Sequence, residues 1–187
     1  RRSSDLCVLT EVTLKLLPQP TCTCTLVLPF VSLEACADMV PKILALPFIP
    51  SSLEFVEREL IDIVEKNLHK LFPVKEGDAC LIVMYDANSQ QELDAAVDAC
   101  CQAALENGAI DCAIADTPER AASVWGVRGA ILEGMKADSV SQEECDVVVP
   151  RSCIAEYVKQ AKKIASKYGL RVEPCGHCGD GNIHTEL

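Results

Sequence analysis

The residue types best suited to chemistry crowd the C-terminal end of the chain, in Cys175-Gly176-His177-Cys178-Gly179-Asp180-Gly181-Asn182-Ile183-His184-Thr185-Glu186. Two histidines stand seven positions apart there, and the third in the chain is His69. An odd separation places two residues of a straight strand on opposite faces. The backbone between them must therefore fold, and Gly179-Asp180-Gly181-Asn182 has the residues of a tight turn. With that turn both imidazoles can converge on one point. Neutral imidazole at such a point suits a Zn²⁺ or Fe²⁺ ion, with Asp180 and Asn182 able to orient the ligands from behind. The alternative is a surface loop with an Asp-Gly turn and two unrelated histidines. The clustering favours a site, whereas His69, beside Lys70, reads as a solvated helix-face residue.

Two further features compete for attention. Cys175 and Cys178 spell a C-x-x-C sequence, but thiol exchange wants the first cysteine at a helix N-terminus, where its pKa falls. Here the pair follows a strand and runs into glycines, so the metal reading stands above the redox one. A structural zinc knuckle would need a second cysteine pair at compatible spacing, and neither Cys22 with Cys24 nor Cys100 with Cys101 supplies it. In Trp125-Gly126-Val127-Arg128, Arg128 lies on a helical pattern whose apolar side includes Val124, Val127 and Ile131, and it can offer its planar fork to a substrate carboxylate. The alternative is a solvated arginine on a helix.

These residues must be carried by elements, and the chain alternates strands with helices. Residues 8–16 alternate polar and apolar and predict a half-buried strand. A β-branched strand is predicted over 21–30, with Ser32 opening a helix that runs to about 46. A short strand over 53–56 and a helix over 58–71 follow. The continuous apolar run 79–85 predicts a central strand. Ser89 with Glu92 forms a capping box for the next helix. A strand over 109–115 leads to a helix opened by Thr117-Pro118, and a strand over 147–149 to a helix opened by Ser152. Gly169 ends that helix and residues 170–173 begin the last strand. Two βαβ-like passes without a Gly-rich phosphate loop predict an α+β fold, a ferredoxin-like antiparallel sheet with helices packed on one face.

Composition sets the outer limits. The chain's 187 residues suffice for one domain with a sizeable core. A net charge of −11 excludes a nucleic-acid partner, because phosphate binding needs surplus Lys and Arg. No apolar run reaches the roughly 18 to 20 residues of a membrane span. The absence of a basic leader at the start leads to the expectation of a cytoplasmic protein, at most peripheral to a membrane through a partner. The 12 cysteines are scattered, mostly one per element, and read as small buried hydrophobes of a reducing cytosol.

Four stretches together resemble a flavoprotein family. They are Leu9-Thr10-Glu11-Val12-Thr13-Leu14-Lys15-Leu16, Pro50-Ser51-Ser52-Leu53-Glu54-Phe55, Asp146-Val147-Val148-Val149-Pro150-Arg151-Ser152, and the histidine motif itself. In order, they are similar to the C-terminal half of FAD-linked 2-hydroxy-acid dehydrogenases, the glycolate oxidase and D-lactate dehydrogenase branch of the vanillyl-alcohol-oxidase type flavoproteins. The resemblance implies that residues 1–187 are the cap, or substrate, domain, with an FAD-binding domain expected upstream and the end of the domain downstream. It implies oxidation of a D-2-hydroxy acid of the lactate or glycolate type, by hydride transfer to FAD. It makes His177 and His184 ligands of a divalent metal, Zn or Fe, and Arg128 the carboxylate clamp. Glu186 stands where many members carry asparagine, and is a weaker candidate for the metal. Glu144 stands where some carry a substrate-binding lysine. A negative charge at either place disfavours a dicarboxylic substrate. The stretch Arg2-Ser3-Ser4-Asp5-Leu6-Cys7 departs from the family's flavin-touching segment. Taken alone, the chain is expected to be inactive. Its expected partners are the acid substrate, the FAD-binding domain of the same protein, and a second copy or an electron-transfer protein. The competing reading is a non-catalytic dimerisation or docking module of the same fold.

Overall fold

The longest apolar runs of the sequence become the middle of a sheet. The computed structural model describes residues 8–139 and 143–186. Strand β1 (Cys22–Phe30) pairs antiparallel with β3 (Ala79–Ala87), with Leu26 opposite Val83 and both fully buried. Strand β2 (Ser52–Glu57) flanks β3 and β4 (Ala113–Ala115) flanks β1. These four give the order β4-β1-β3-β2, the ferredoxin-like arrangement. Beyond β2 the sheet continues through β6 (Glu173–His177), β7 (Asn182–Glu186) and β5 (Glu144–Val148) to seven strands, every pair antiparallel. The fold is α+β.

Helices α1 (Leu33–Leu44), α3 (Gln90–Glu106) and α6 (Ile154–Ser166) pack on one face, over Leu28, Phe30 and Leu81. The expectation of helices on one face thus describes the crossover helices α1 and α3, but the sheet as a whole needs a correction. Helices α2 (Arg58–Leu68), α4 (Pro118–Arg128) and α5 (Ile131–Asp138) cover the other face, over Val27, Val56 and Ile82. The reason lies in the central strands, which are apolar at both parities and so demand cover on both sides. Around the sheet's β6-β7-β5 end, that second face carries His177, His184 and Asp146 in place of an apolar surface.

Side chains start the helices where the sequence places them. Ser32 Oγ accepts from the Ala35 amide at 3.2 Å, Ser89 Oγ from Glu92 at 3.3 Å and Thr117 Oγ1 from Arg120 at 3.3 Å. Ser152 does not do so. A 3-10 turn at Arg151–Cys153 precedes α6 instead. The helix after Pro118 ends at Gly129, and α5 is a separate element packed on α2.

Three strand expectations change. Residues 8–16 have no regular structure, and Val8, Leu9, Val12, Leu14 and Leu16 are exposed. Alternation alone cannot make a strand when, among the described residues, no neighbour pairs with it. The 109–115 run shrinks to β4 plus one bridge between Ala109 and Phe30. The last strand expected over 170–173 begins only at Glu173, and the glycine-rich motif splits it into the β6-β7 hairpin.

The cysteines divide. Cys24, Cys36, Cys80, Cys100, Cys175 and Cys178 are buried, as small hydrophobes are. Cys101 and Cys112 are instead joined in a disulfide, because the short return from α3 to β4 brings their Cα atoms to 5.7 Å. Cys145 and Cys153 are exposed. His69 does not lie on a helix face but ends α2 in the left-handed conformation, with φ 53°. Among the described residues, no helix is long and apolar enough to cross a membrane.

Candidate functional site

The β6-β7 hairpin is built by its glycines. Gly181 has φ +83°, and a Cβ there would lie 2.1 Å from the Val149 carbonyl oxygen. Gly176 meets the Asn182 carbonyl so closely that a Cβ would sit 2.3 Å from it. Any side chain at either position would push the strands apart. The amides of Asp180 and Gly181 donate to the His177 carbonyl at 3.3 and 3.0 Å, and Asp180 Oδ1 accepts from the Asn182 amide at 3.0 Å. Asp180 therefore shapes the turn, and Asn182 stands opposite His177 at its close.

This turn sends the chain back on itself and resolves the odd spacing. His184 pairs with Cys175, two residues before His177, so both imidazoles share one face as diagonal neighbours. Their Nε2 atoms are 3.2 Å apart, with the rings nearly perpendicular at 85°.

Each ring is held from behind by a carboxylate. Glu54 on β2 lies directly opposite His177, and its Oε1 and Oε2 are 2.7 and 2.8 Å from His177 Nδ1. Glu54 is 6% exposed, unusual for an acid, and its charge is balanced by Arg128. Arg128 Nε and Nη2 both donate to Glu54 Oε2, at 3.2 and 2.9 Å, while Ser52 Oγ donates to Oε1 at 3.2 Å. Arg128 closes α4, and one turn earlier Trp125 Nε1 donates to Thr25 Oγ1 on β1 at 3.0 Å. That bond seats the helix end over the sheet. On the other side, His184 Nδ1 is 2.5 Å from Asp146 Oδ1 and 3.8 Å from Glu144 Oε1, both on β5. Glu186 stands opposite Glu173 and Glu144 in the sheet, but its side chain lies outside the described residues, as do residues 1–7.

An ionised carboxylate can only accept, so the Nδ1 atoms of both rings donate. Neutral rings in that state aim two Nε2 lone pairs at one point. Two metal–nitrogen bonds of about 2.0–2.1 Å at a tetrahedral angle would hold their nitrogens roughly 3.3 Å apart. The observed separation fits that bite, and the His–carboxylate pairs are the usual supports of metal-binding imidazoles. Glu144, Asp146 and His184 also bring ligand atoms within 4.8 Å of one another. A cleft of about 400 Å³ opens beside His177, lined by Ser51, Ser52, Glu54, Arg151 and Asp180 among others.

The C-x-x-C pair is divided between the two cores. Cys175 packs on the α2 side and Cys178 on the α1 side. Burial pushes the Cys178 thiol well above the ordinary thiol range, which opposes exchange chemistry. Sequence reasoning brought out His177, His184 and Arg128, which the fold gathers, but it missed Glu54 and Asp146 as partners. For Glu54 a signal existed: a lone acid inside the apolar stretch Leu53-Glu54-Phe55-Val56, which burial allows only with a partner.

With this geometry in place, comparison with known proteins gives the class. Residues 19–187 match the family described as FAD linked oxidases, C-terminal domain, and the chain belongs to it. A D-lactate dehydrogenase of Anaerostipes hadrus is 40% identical over 182 residues, covering 95% of this chain and 38% of that protein. A D-lactate dehydrogenase of Archaeoglobus fulgidus is 32% identical, covering 96% and 38%, and the glycolate oxidase subunit GlcD of Bacillus subtilis is 30% identical, covering 95% and 37%. The chain thus spans a little under two fifths of these relatives. Among solved structures, 4-ethylphenol oxidase from Gulosibacter chungangensis aligns with TM-score 0.64 at 10% identity, covering 91% of this chain and 39% of that one. An alkyldihydroxyacetonephosphate synthase aligns with TM-score 0.63 at 15% identity, covering 89% and 36%. Both share the fold.

Proposed function

We propose that the chain is the substrate domain of a flavin-dependent dehydrogenase that oxidises a D-2-hydroxy acid of the lactate or glycolate type to the 2-oxo acid. The observation that carries this reading is the meeting of two carboxylate-backed Nε2 atoms at 3.2 Å beside an arginine. His177 and His184 would hold a divalent ion, Zn or Fe, and Glu186 is a further candidate ligand. Bound there, such an ion would lower the pKa of a substrate hydroxyl, and FAD, which another domain of the same protein would chiefly hold, would supply the hydride acceptor. Arg128 spends two of its five N–H donors on Glu54, and those remaining grip the substrate carboxylate. That grip holds the acid in one orientation relative to the histidines. Glu144, 3.8 Å from His184, repels a second carboxylate, which favours monocarboxylic acids. The apolar side chains exposed along residues 8–17 support docking onto the flavin-bearing domain.

The test is dye reduction by the intact, metal-replete protein, with flavin absorbance followed in parallel. Reduction with D-lactate or glycolate, lost on treatment with a chelator and regained with Zn²⁺ or Fe²⁺, is the expected result. Turnover of neither acid would remove the substrate assignment, and activity indifferent to chelation would remove the metal.

A further inference from the structure

We propose that Glu54 is a positioning residue of this site, one carboxylate that sets the tautomer of His177 and the seat of Arg128 together. The inference rests on the metal and substrate roles given above to those two residues.

Glu54 makes more contacts than charge balance requires. Its two oxygens accept from His177 Nδ1, from Arg128 Nε and Nη2, and from Ser52 Oγ, so both are filled. It is placed by sheet register, directly across from His177, and the strand on its other side holds it through the β2-β3 ladder. With 6% of its surface exposed, Glu54 has little water to trade for these partners, which favours a fixed arrangement. Two consequences follow. His177 must carry its proton on Nδ1, which leaves Nε2 open toward His184. Arg128 must present its remaining donors away from Glu54. Glu54 itself touches neither metal nor substrate in this scheme and acts only through the two side chains it holds.

Glutamine at this position keeps the shape and breaks the logic. Its amide can offer an N–H to Nδ1, which moves the ring proton to Nε2 and closes the point shared with His184. It also leaves the Arg128 charge without its counterion.

The experiment uses the intact protein with ¹⁵N-histidine. Long-range ¹H–¹⁵N spectra, recorded before any metal is added, identify the His177 tautomer, its signal assigned through loss in His177→Gln. Wild type should show the Nδ1–H form and Glu54→Gln a shift toward Nε2–H. The Zn²⁺ dissociation constant, from competition with a chelator, should rise about 10- to 100-fold in Glu54→Gln. Glu54→Asp keeps the carboxylate and should retain the Nδ1–H form, with affinity nearer to wild type. The double variant Glu54→Gln/Arg128→Met removes both charges, so its unfolding midpoint should recover while the tautomer and weak Zn²⁺ binding persist. If the double variant regained wild-type affinity along with its stability, Glu54 would be a structural charge and the proposal would be overturned. A wild-type His177 already in the Nε2–H form would overturn it too. Wild-type protein that binds no Zn²⁺ would end the metal assignment alone, because the tautomer comparison would still decide the role of Glu54.

Discussion

The two histidines face each other across 3.2 Å, yet their supports are unlike. His177 leans on Glu54, a buried acid already gripped by Arg128, in the interior of the sheet. His184 leans on Asp146 and Glu144, whose side chains are 62% and 46% exposed on the edge strand β5. Low dielectric strengthens a paired charge and makes an unpaired one costly. Solvent and salt weaken both effects at the edge. One side of the site is therefore a fixed wall and the other an adjustable one. A site so divided holds His177 and Arg128 in fixed register while the side chains of β5 that face His184 remain open to solvent.

Substitutions that cut the inner support should cost most. Arg128→Met strands the Glu54 charge, and should lower stability by about 3–5 kcal/mol in urea unfolding. In the intact protein it should also raise KM and lower kcat together. An unchanged kcat/KM would take Arg128 out of substrate binding and leave it a purely structural partner.

A second buried acid sharpens the contrast because its arginine partner is more distant and more exposed. Glu173, on the same face of β6 as His177, is 2% exposed, and burial with the nearby Glu59 charge pushes its pKa up to about 7. The Lys162 charge and Arg171, whose Nε lies 3.4 Å away, offset this only in part. Because the folded state holds this proton more tightly than the unfolded chain, stability is greatest below about pH 4.5 and falls as pH rises through about 7. The loss from this group should be on the order of 3 kcal/mol. Glu173→Gln should flatten that part of the stability curve, and an unflattened curve would show that Glu173 is as well compensated as Glu54.

At the outer wall the effects should shrink. Asp146→Asn should change stability by less than about 1 kcal/mol, the scale of exposed pairs. Its Zn²⁺ affinity should fall by less than that of Glu54→Gln in the same competition assay. A larger fall would reverse the ranking of the two supports. Glu144→Gln should leave stability within about 0.5 kcal/mol of wild type. Its effect should be confined to specificity, as a few-fold gain in turnover of 2-hydroxyglutarate relative to D-lactate.

What could be read in advance follows the same division. The hairpin was legible because an odd histidine spacing and a glycine-rich turn are local facts, and so were Ser32, Ser89 and Thr117 as helix starts. The partnership of Glu54 with His177 was not, because it joins residues 123 apart through sheet register. Periodicity names a face but not the strand that will lie beside it. The 8–16 segment shows the converse error, since its alternation is genuine while none of the described strands pairs with it. Cover on both faces was implied by Val27 and Ile82, which sit between inward residues on the central strands. The Cys101–Cys112 bond depended on how sharply the chain returns after α3, which composition does not report.

The seating of α4 has a practical consequence. Trp125 is the chain's sole tryptophan, and its indole bonds to Thr25 one helical turn before Arg128. Its emission is therefore a built-in optical gauge of whether the arginine's helix is docked. Loosening that bond, as in Thr25→Val, would be visible as a spectral change before any label, ligand or assay is introduced.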